Sequence, residues 1–207
     1  MYQPAQHRED RLDVQHSLIE SHPLGLLISA GAEGLLANAL PFLLQRQSGP
    51  FGTLQVHMAR ANGQWRDLDG QRVLTVFQGP QAYVSPSFYA TKLETGKVVP
   101  TWNYAMVQAR GVARLRADAD WLGAQIKALT AVHEGRRTPS WAVSDAPSAY
   151  IESQMRGIVG IEIEIDTIEG KWKVSQNRPE ADRHGTAEGL APDNPAMSAL
   201  VKQYGNL

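Results

Sequence analysis

The chain has 207 residues with 20 basic against 21 acidic side chains, a formal net charge of -1; this suits one domain and excludes a global basic field for nucleic acid or an anionic membrane. It contains no cysteine, which excludes disulfides, thiolate zinc sites and cysteine nucleophiles and fits a reducing compartment. The first ten residues lack the apolar core of a signal peptide, and no apolar run approaches the ~20 residues of a bilayer span, so a cytoplasmic protein with no membrane partner is expected.

Leu12, Leu18 and Ile19 share a face of a helix expected from Asp10 to Ser21, which Pro23 stops. Leu24 to Ser29 reads as a buried strand, residues 31–34 as a turn, and Leu35 to Gln45 as the return strand, with Ser48-Gly49-Pro50 turning the chain again. Phe51 to His57, Arg72 to Phe77 and Gln81 to Ser85 continue the strand pattern, with a short helix expected between Ala59 and Leu68 and a loop from Pro86 to Lys97. Trp102 to Leu115 is a long strand. Asp118 to Glu134 is the clearest helix, with Leu122, Ile126, Leu129 and His133 at helical spacing, Asp118 at its start and Gly135 at its end. Asp145 is the expected N-cap of a second short helix. Val159, Ile161, Ile163 and Ile165 alternate with Gly160, Glu162, Glu164 and Asp166, a strand with one wet face. Asn194-Pro195 opens a last helix to about Tyr204.

Strands in succession with helices early, late and at the end exclude a strictly alternating parallel sheet and point to an antiparallel barrel or sandwich with helices outside. There is no dinucleotide-binding glycine fingerprint and no P-loop. The six histidines have no zinc-binding spacing, and Ser85-Pro86-Ser87 lacks the hydrolase elbow. His133-Glu134 reads as a helix end, and Glu162 with Glu164 as a solvated face.

Four segments mix polar, aromatic and turn residues. Asn38-Ala39-Leu40-Pro41-Phe42 reads either as an edge strand or as backbone against which a flat ring can lie, because Pro41 leaves the ladder without a donor. His57-Met58-Ala59-Arg60-Ala61-Asn62 reads either as a solvated Arg with a helix cap or as an anion site built on the Arg60 guanidinium. In Lys97-Val98-Val99-Pro100-Thr101-Trp102-Asn103-Tyr104 two aromatics flank an Asn, which suits a core turn or recognition of a planar heterocycle. Gly170-Lys171-Trp172-Lys173-Val174-Ser175-Gln176-Asn177-Arg178 reads as a Lys-protected edge or, given its dense run of donors and acceptors, as a site.

Together with His22 to Leu26, Gly79 to Pro86, Leu129-Thr130, Asp145 to Pro147 and Gly157 to Gly160, these segments resemble the PaiB-like family of FMN-binding negative transcriptional regulators, in order along residues 1 to about 190. The most specific pieces are V-P-T-W-N-Y and K-x-K-x-S-Q-N-R. The resemblance implies a mainly β (α+β) protein: a six-stranded antiparallel split β-barrel with peripheral helices, residues 1–190 forming the FMN-binding domain and 191–207 a C-terminal helix or tail. It implies a homodimer with FMN as cofactor. Asn38, Leu40 and Pro41 would line the flavin ring; His57, Arg60 and Asn62 would hold the phosphate. Thr101, Trp102 and Asn103 would contribute from the barrel, and Lys173, Ser175, Gln176 and Asn177 would close the site. The chain departs from the family pattern at Ala39 and Gln108, where His is common, and at Val56, where Gly is common and where a bulky residue is expected to narrow the approach to the phosphate. The resemblance implies a flavin-linked regulator or sensor first, an FMN-dependent oxidoreductase acting on a small molecule second, and a DNA-binding repressor third, since neither charge nor motif supports direct DNA binding.

Overall fold

The computed structural model describes residues 1–32 and 34–207; of the turn expected at residues 31–34, Glu33 lies outside the described residues. The chain divides into two compact units: a smaller one of residues 1–18, 78–107 and 169–207, and a larger one of 19–77 and 108–168. The strands are β1 (Arg8–Glu9), β2 (Leu24–Gly31), β3 (Gly34–Pro41), β4 (Leu43–Gln45), β5 (Thr53–Ala59), β6 (Arg72–Val84), β7 (Thr101–Arg116) and β8 (Ile158–Lys173). The helices are α1 (Leu12–Ser21), α2 (Thr91–Thr95), α3 (Ala119–Glu134), α4 (Ser148–Arg156), α5 (Glu180–Leu190) and α6 (Pro195–Gly205). The expected class, an antiparallel split barrel with added helices, is the class found, with eight strands where six were expected. Among the described residues no helix is long and apolar enough to cross a membrane.

In the larger unit the strand order is β3-β2-β6-β7-β8-β5-β4. The period-two pattern of β8 does what it predicts. Leu54, Val56 and Met58 of β5 pair with Ile163, Ile161 and Val159 of β8, and all six are buried; each such side chain contributes roughly 1.5–3 kcal/mol by leaving water. Gly111 of β7 has no alternative: a Cβ there would stand 2.0 Å from the carbonyl oxygen of Glu164. Gly160 leaves room for the Trp121 ring of α3, which a Cβ would meet at 2.3 Å.

The single return strand expected from Leu35 to Gln45 breaks at Phe42. The Phe42 N–H leaves the ladder to bond the Pro23 carbonyl at 2.8 Å, and its buried ring stands edge-on to Phe77 at 5.4 Å. Conversely, the two pieces expected around Gly79-Pro80 fuse into the single strand β6, as do those around Gly170 into β8. The helix expected at 59–68 shrinks to a 3-10 turn, Gly63–Asp67. Pro147, not Asp145, stands at the N-cap of α4; the Asp145 carboxylate instead accepts from Ala142 N at 2.9 Å, closing the tight turn before it. Glu162 is not simply solvated: Arg116 pairs with it at 2.5 Å, and Gln55 and Trp121 donate to it at 3.1 and 3.3 Å.

In the smaller unit β1 pairs antiparallel with the end of β8, Arg8 opposite Lys171 and Glu9 opposite Gly170. The loop expected at 86–97 contains α2, which Gly96 ends in the left-handed region at φ 67°. Helix α5, for which no expectation existed, passes so close to Phe88 that a Cβ on Gly185 would stand 2.0 Å from the Phe88 carbonyl oxygen. Helix α6 begins where Asn194 caps Met197 N at 3.0 Å, and Ser198 ties it to the Ala187 carbonyl at 2.6 Å.

Candidate functional site

The expected site residues fall into two groups: residues 38–62 in the larger unit and 101–103 with 173–177 in the smaller. In the larger unit, Asn38 and Asn62 meet through a residue that sequence reasoning missed. Asn38 Nδ2 donates to Gln64 Oε1 at 2.8 Å, and Asn62 Oδ1 accepts from Gln64 N at 3.1 Å. Gln64 is 3% exposed; its Nε2 donates to Ser29 Oγ at 2.9 Å and lies 3.3 and 3.4 Å from the carbonyls of Leu27 and Leu36. Its side-chain partners lie 26 to 37 positions upstream, so local sequence carries no signal for the side chain. Leu40 and Pro41 lie opposite Gly25 and Leu24, with Leu40 buried and Pro41 half-buried.

His57 and Arg60 stand at and just beyond the end of β5. The His57 ring shares a 2.8 Å hydrogen bond between Nδ1 and Gln125 Oε1 on α3, while Gln125 Nε2 is buried without a partner among the described residues. His57 opens onto a mainly apolar pocket of about 280 Å³ with Trp141, Tyr150, Ile151 and Met155. Arg60 opens onto a second, of about 270 Å³, with Glu152, Met155 and Arg156. The Arg60 N–H donates to the Gly157 carbonyl at 2.8 Å, but its exposed guanidinium has no ion pair among the described residues and lies over the Trp65 ring at 5.9 Å. An unpaired planar cation is what a phosphate needs, so the segment fits the group that the sequence implied. Val56 does not narrow this approach: it is wholly buried on the opposite face of β5 from His57.

In the smaller unit the groups converge, but most spend their polar atoms on one another. Asn103 Nδ2 donates to Ser175 Oγ at 2.9 Å, and Ser175 Oγ reaches back to Asn103 Oδ1 at 3.2 Å; both residues are buried. Ser175 adopts φ 67°, a left-handed conformation uncommon outside glycine that turns the chain sharply after β8. Gln176 is fully used: Oε1 accepts from Val174 N at 2.8 Å, and Nε2 donates to Gln6 O at 2.9 Å and Trp172 O at 2.5 Å. Lys173 Nζ bonds Thr101 Oγ1 and, at 2.8 Å, the Trp102 carbonyl, leaving one N–H of its ammonium. Burial lowers its pKa, helped by the charges of Lys171 and Arg178. The Trp102 ring is 55% exposed, edge-on to Tyr83 at 6.0 Å; Asn177 is exposed.

The β2–β3 hairpin carries a surface that the sequence reading did not mark. On one face Leu24, Leu26, Ile28 and Ala30 lie opposite Pro41, Ala39, Ala37 and Leu35. Every side chain of that ladder is apolar, yet Leu35, Leu24 and Leu26 are 80%, 67% and 43% exposed.

Comparison with known proteins gives these features a setting. A family model described as "Putative FMN-binding domain" matches residues 1–167. An uncharacterized protein of Emericella nidulans is 36% identical, the match covering 92% of this chain and 90% of that one. The Bacillus subtilis "Protease synthase and sporulation protein PAI 2" is 28% identical over 98% of this chain and 95% of its own length. Among solved structures, the FAD and heme binding protein from Mycobacterium smegmatis has the same fold, with a TM-score of 0.59 at 15% identity, covering 80% of this chain and 73% of that one.

Proposed function

The chain belongs to the PaiB-like family of FMN-binding proteins and FMN is its cofactor, and from that premise we propose that it is a flavin-linked negative transcriptional regulator or sensor working as a cytoplasmic homodimer. The observation that carries the reading is the exposed apolar ladder of the β2–β3 hairpin. A contiguous apolar face of this kind marks a protein interface, and a second copy of the chain is the partner that the family implies. With net charge -1 there is no field to grip DNA, so control would pass through protein contacts. The name of the Bacillus relative, with its reference to protease synthesis and sporulation, accords with a regulatory role.

In this reading residues 1–190 form the FMN-binding domain and 191–207 a C-terminal helix. Arg60 holds the phosphate as a charged fork, with His57 and the free amide of Asn62 beside it in sequence. The backbone from Asn38 through Leu40 to Pro41 lines the ring. Of the second group, Lys173, Trp102 and Asn177 keep atoms for a ligand. Thr101, Asn103, Ser175 and Gln176 hold those three in place. FMN, when bound, supplies the capacity for one- and two-electron exchange.

A titration of purified protein with FMN, read by flavin fluorescence and absorbance, tests this. One FMN per subunit is expected, with affinity at least tenfold weaker in Arg60→Ala, about 1.4 kcal/mol. No binding up to roughly millimolar FMN, about -4 kcal/mol, would overturn the reading. Rapid, repeated bleaching of the bound flavin by NAD(P)H would move the assignment to an oxidoreductase, and a salt-dependent gel shift would move it to a direct DNA-binding repressor.

A further inference from the structure

The end of β8 and the turn after it gather cations that the fold leaves without anions. Lys171 is 7% exposed, yet among the described residues its Nζ meets the Tyr2 carbonyl at 3.0 Å and the faces of Tyr2 and Tyr104, 5.2 and 5.4 Å away. Lys173 meets the Thr101 hydroxyl and the Trp102 carbonyl, both neutral. The Arg178 guanidinium lies 4.7 Å over the Tyr89 ring. None of the three forms an ion pair with a carboxylate among the described residues. The carboxylates of this unit nearest in sequence have other partners: Glu169 the amino group of Met1, Asp182 the amide and hydroxyl of Thr91, and Glu180 the His184 ring at 3.9 Å, while Glu9, across the ladder, is held by Arg11 and Tyr204.

Buried cations normally carry a counterion, because desolvation is costly and a neutral carbonyl offsets it only in part. A second observation points the same way. His7 is 6% exposed and its Nδ1 has no partner among the described residues. Burial lowers the pKa of the ring, a hydrogen bond with Gln176 works against this, and the charges of Lys173 and Lys171 add to the lowering. The ring stands beside the end of β8, because its neighbours on either side are tied there: Gln6 O accepts from Gln176 Nε2 at 2.9 Å and Arg8 lies opposite Lys171. Four groups, each able to donate to or bear charge toward an oxyanion, thus share one small region. The polar side chains beside them, Ser175, Asn103 and Gln176, are neutral and bring no negative charge.

We propose that the Lys173–Arg178 segment is an oxyanion site that takes the carboxylate or phosphate of a small molecule. The remaining N–H of Lys173 and the guanidinium of Arg178 supply the donors, and Lys171 and His7 stand behind them as field and framework. The proposal does not depend on Arg60 holding FMN.

The test is an NMR titration of ¹⁵N-labelled, FMN-saturated protein with inorganic phosphate, and separately with acetate, at fixed ionic strength so that general screening stays constant. The backbone amides of Ser175 to Arg178 are the reporters. A saturable shift confined to these amides is expected, its midpoint at least tenfold weaker in Arg178→Met, mostly retained in Arg178→Lys, and unchanged in Lys92→Ala, at an exposed lysine outside the segment. Response to phosphate alone assigns a phosphorylated ligand, and response to both anions a carboxylate. Unsaturable drift shared with exposed lysines such as Lys92 and Lys97 would overturn the proposal. So would equal loss in the Met and Lys variants. Stoichiometric displacement of phosphate by FMN would also overturn it, since these cations would then belong to the cofactor.

Discussion

Two buried polar clusters, one in each unit, are solved in opposite ways. Around Gln64 every participant is neutral and the buried amide is bonded at both ends: Oε1 accepts from Asn38, Nε2 reaches Ser29 and the carbonyls of Leu27 and Leu36, and the backbone N–H donates to Asn62. Around Lys173 the neutral partners are equally well used, but positive charge remains with no negative charge to meet it. A satisfied neutral network is a structural element, which rigidifies the segment it joins. An excess of one charge adds no stability to the fold, and its use lies in what it attracts.

The sharpest way to break this comparison is to remove the hub. Gln64→Ala leaves Asn38 and the Ser29 hydroxyl without their buried partner and is expected to cost about 3 kcal/mol in urea denaturation; a loss below about 0.5 kcal/mol would show that the network is ornamental. Next in size is the hairpin above it. Leu26→Lys places a charge in the apolar ladder opposite Ala39, and sedimentation should show dimer affinity falling at least a hundredfold, about 2.7 kcal/mol. The smallest effect belongs to the charged cluster. Lys173 titrates lower in the folded protein than in the unfolded chain, so between those two values the unfolded state binds more protons and stability rises with pH. Wild-type protein should therefore gain stability on the alkaline side. Lys173→Met should lose that slope while being no less stable near neutrality, a difference under about 1 kcal/mol because the ammonium is partly exposed. A large loss of stability in that variant would mean that the cation serves the fold after all.

What could be read in advance followed the range of each interaction. The alternation of Val159 to Ile165 and the spacing from Leu122 to Ile126 are local patterns, and both elements formed, the helix with its N-cap in place: Asp118 accepts from Trp121 N at 2.7 Å. The break at Phe42 was hidden because its cause, the Pro23 carbonyl, lies on another part of the chain. Helix α5 was hidden because its apolar side is thin, resting on Ala187, Leu190 and close glycine contacts with Phe88. In the candidate site, the motifs located Arg60, Lys173 and Trp102, which keep free atoms. They also drew in Gln176 and Asn103, whose polarity serves the chain itself. Composition cannot separate a donor that is waiting from one that is engaged; only the partner lists of Gln64 and Lys173 do so.

The interleaving of the two units also sets a timetable for synthesis. The larger unit is complete once residue 168 has emerged, whereas the smaller one needs both the first eighteen residues and the last stretch from 169. Strand β1 is made about 160 residues ahead of its partners, Gly170 and Lys171. Strand β1 must therefore wait while the larger unit is made, and the pairing that closes the smaller unit is an event of long sequence separation, the kind that folds slowly.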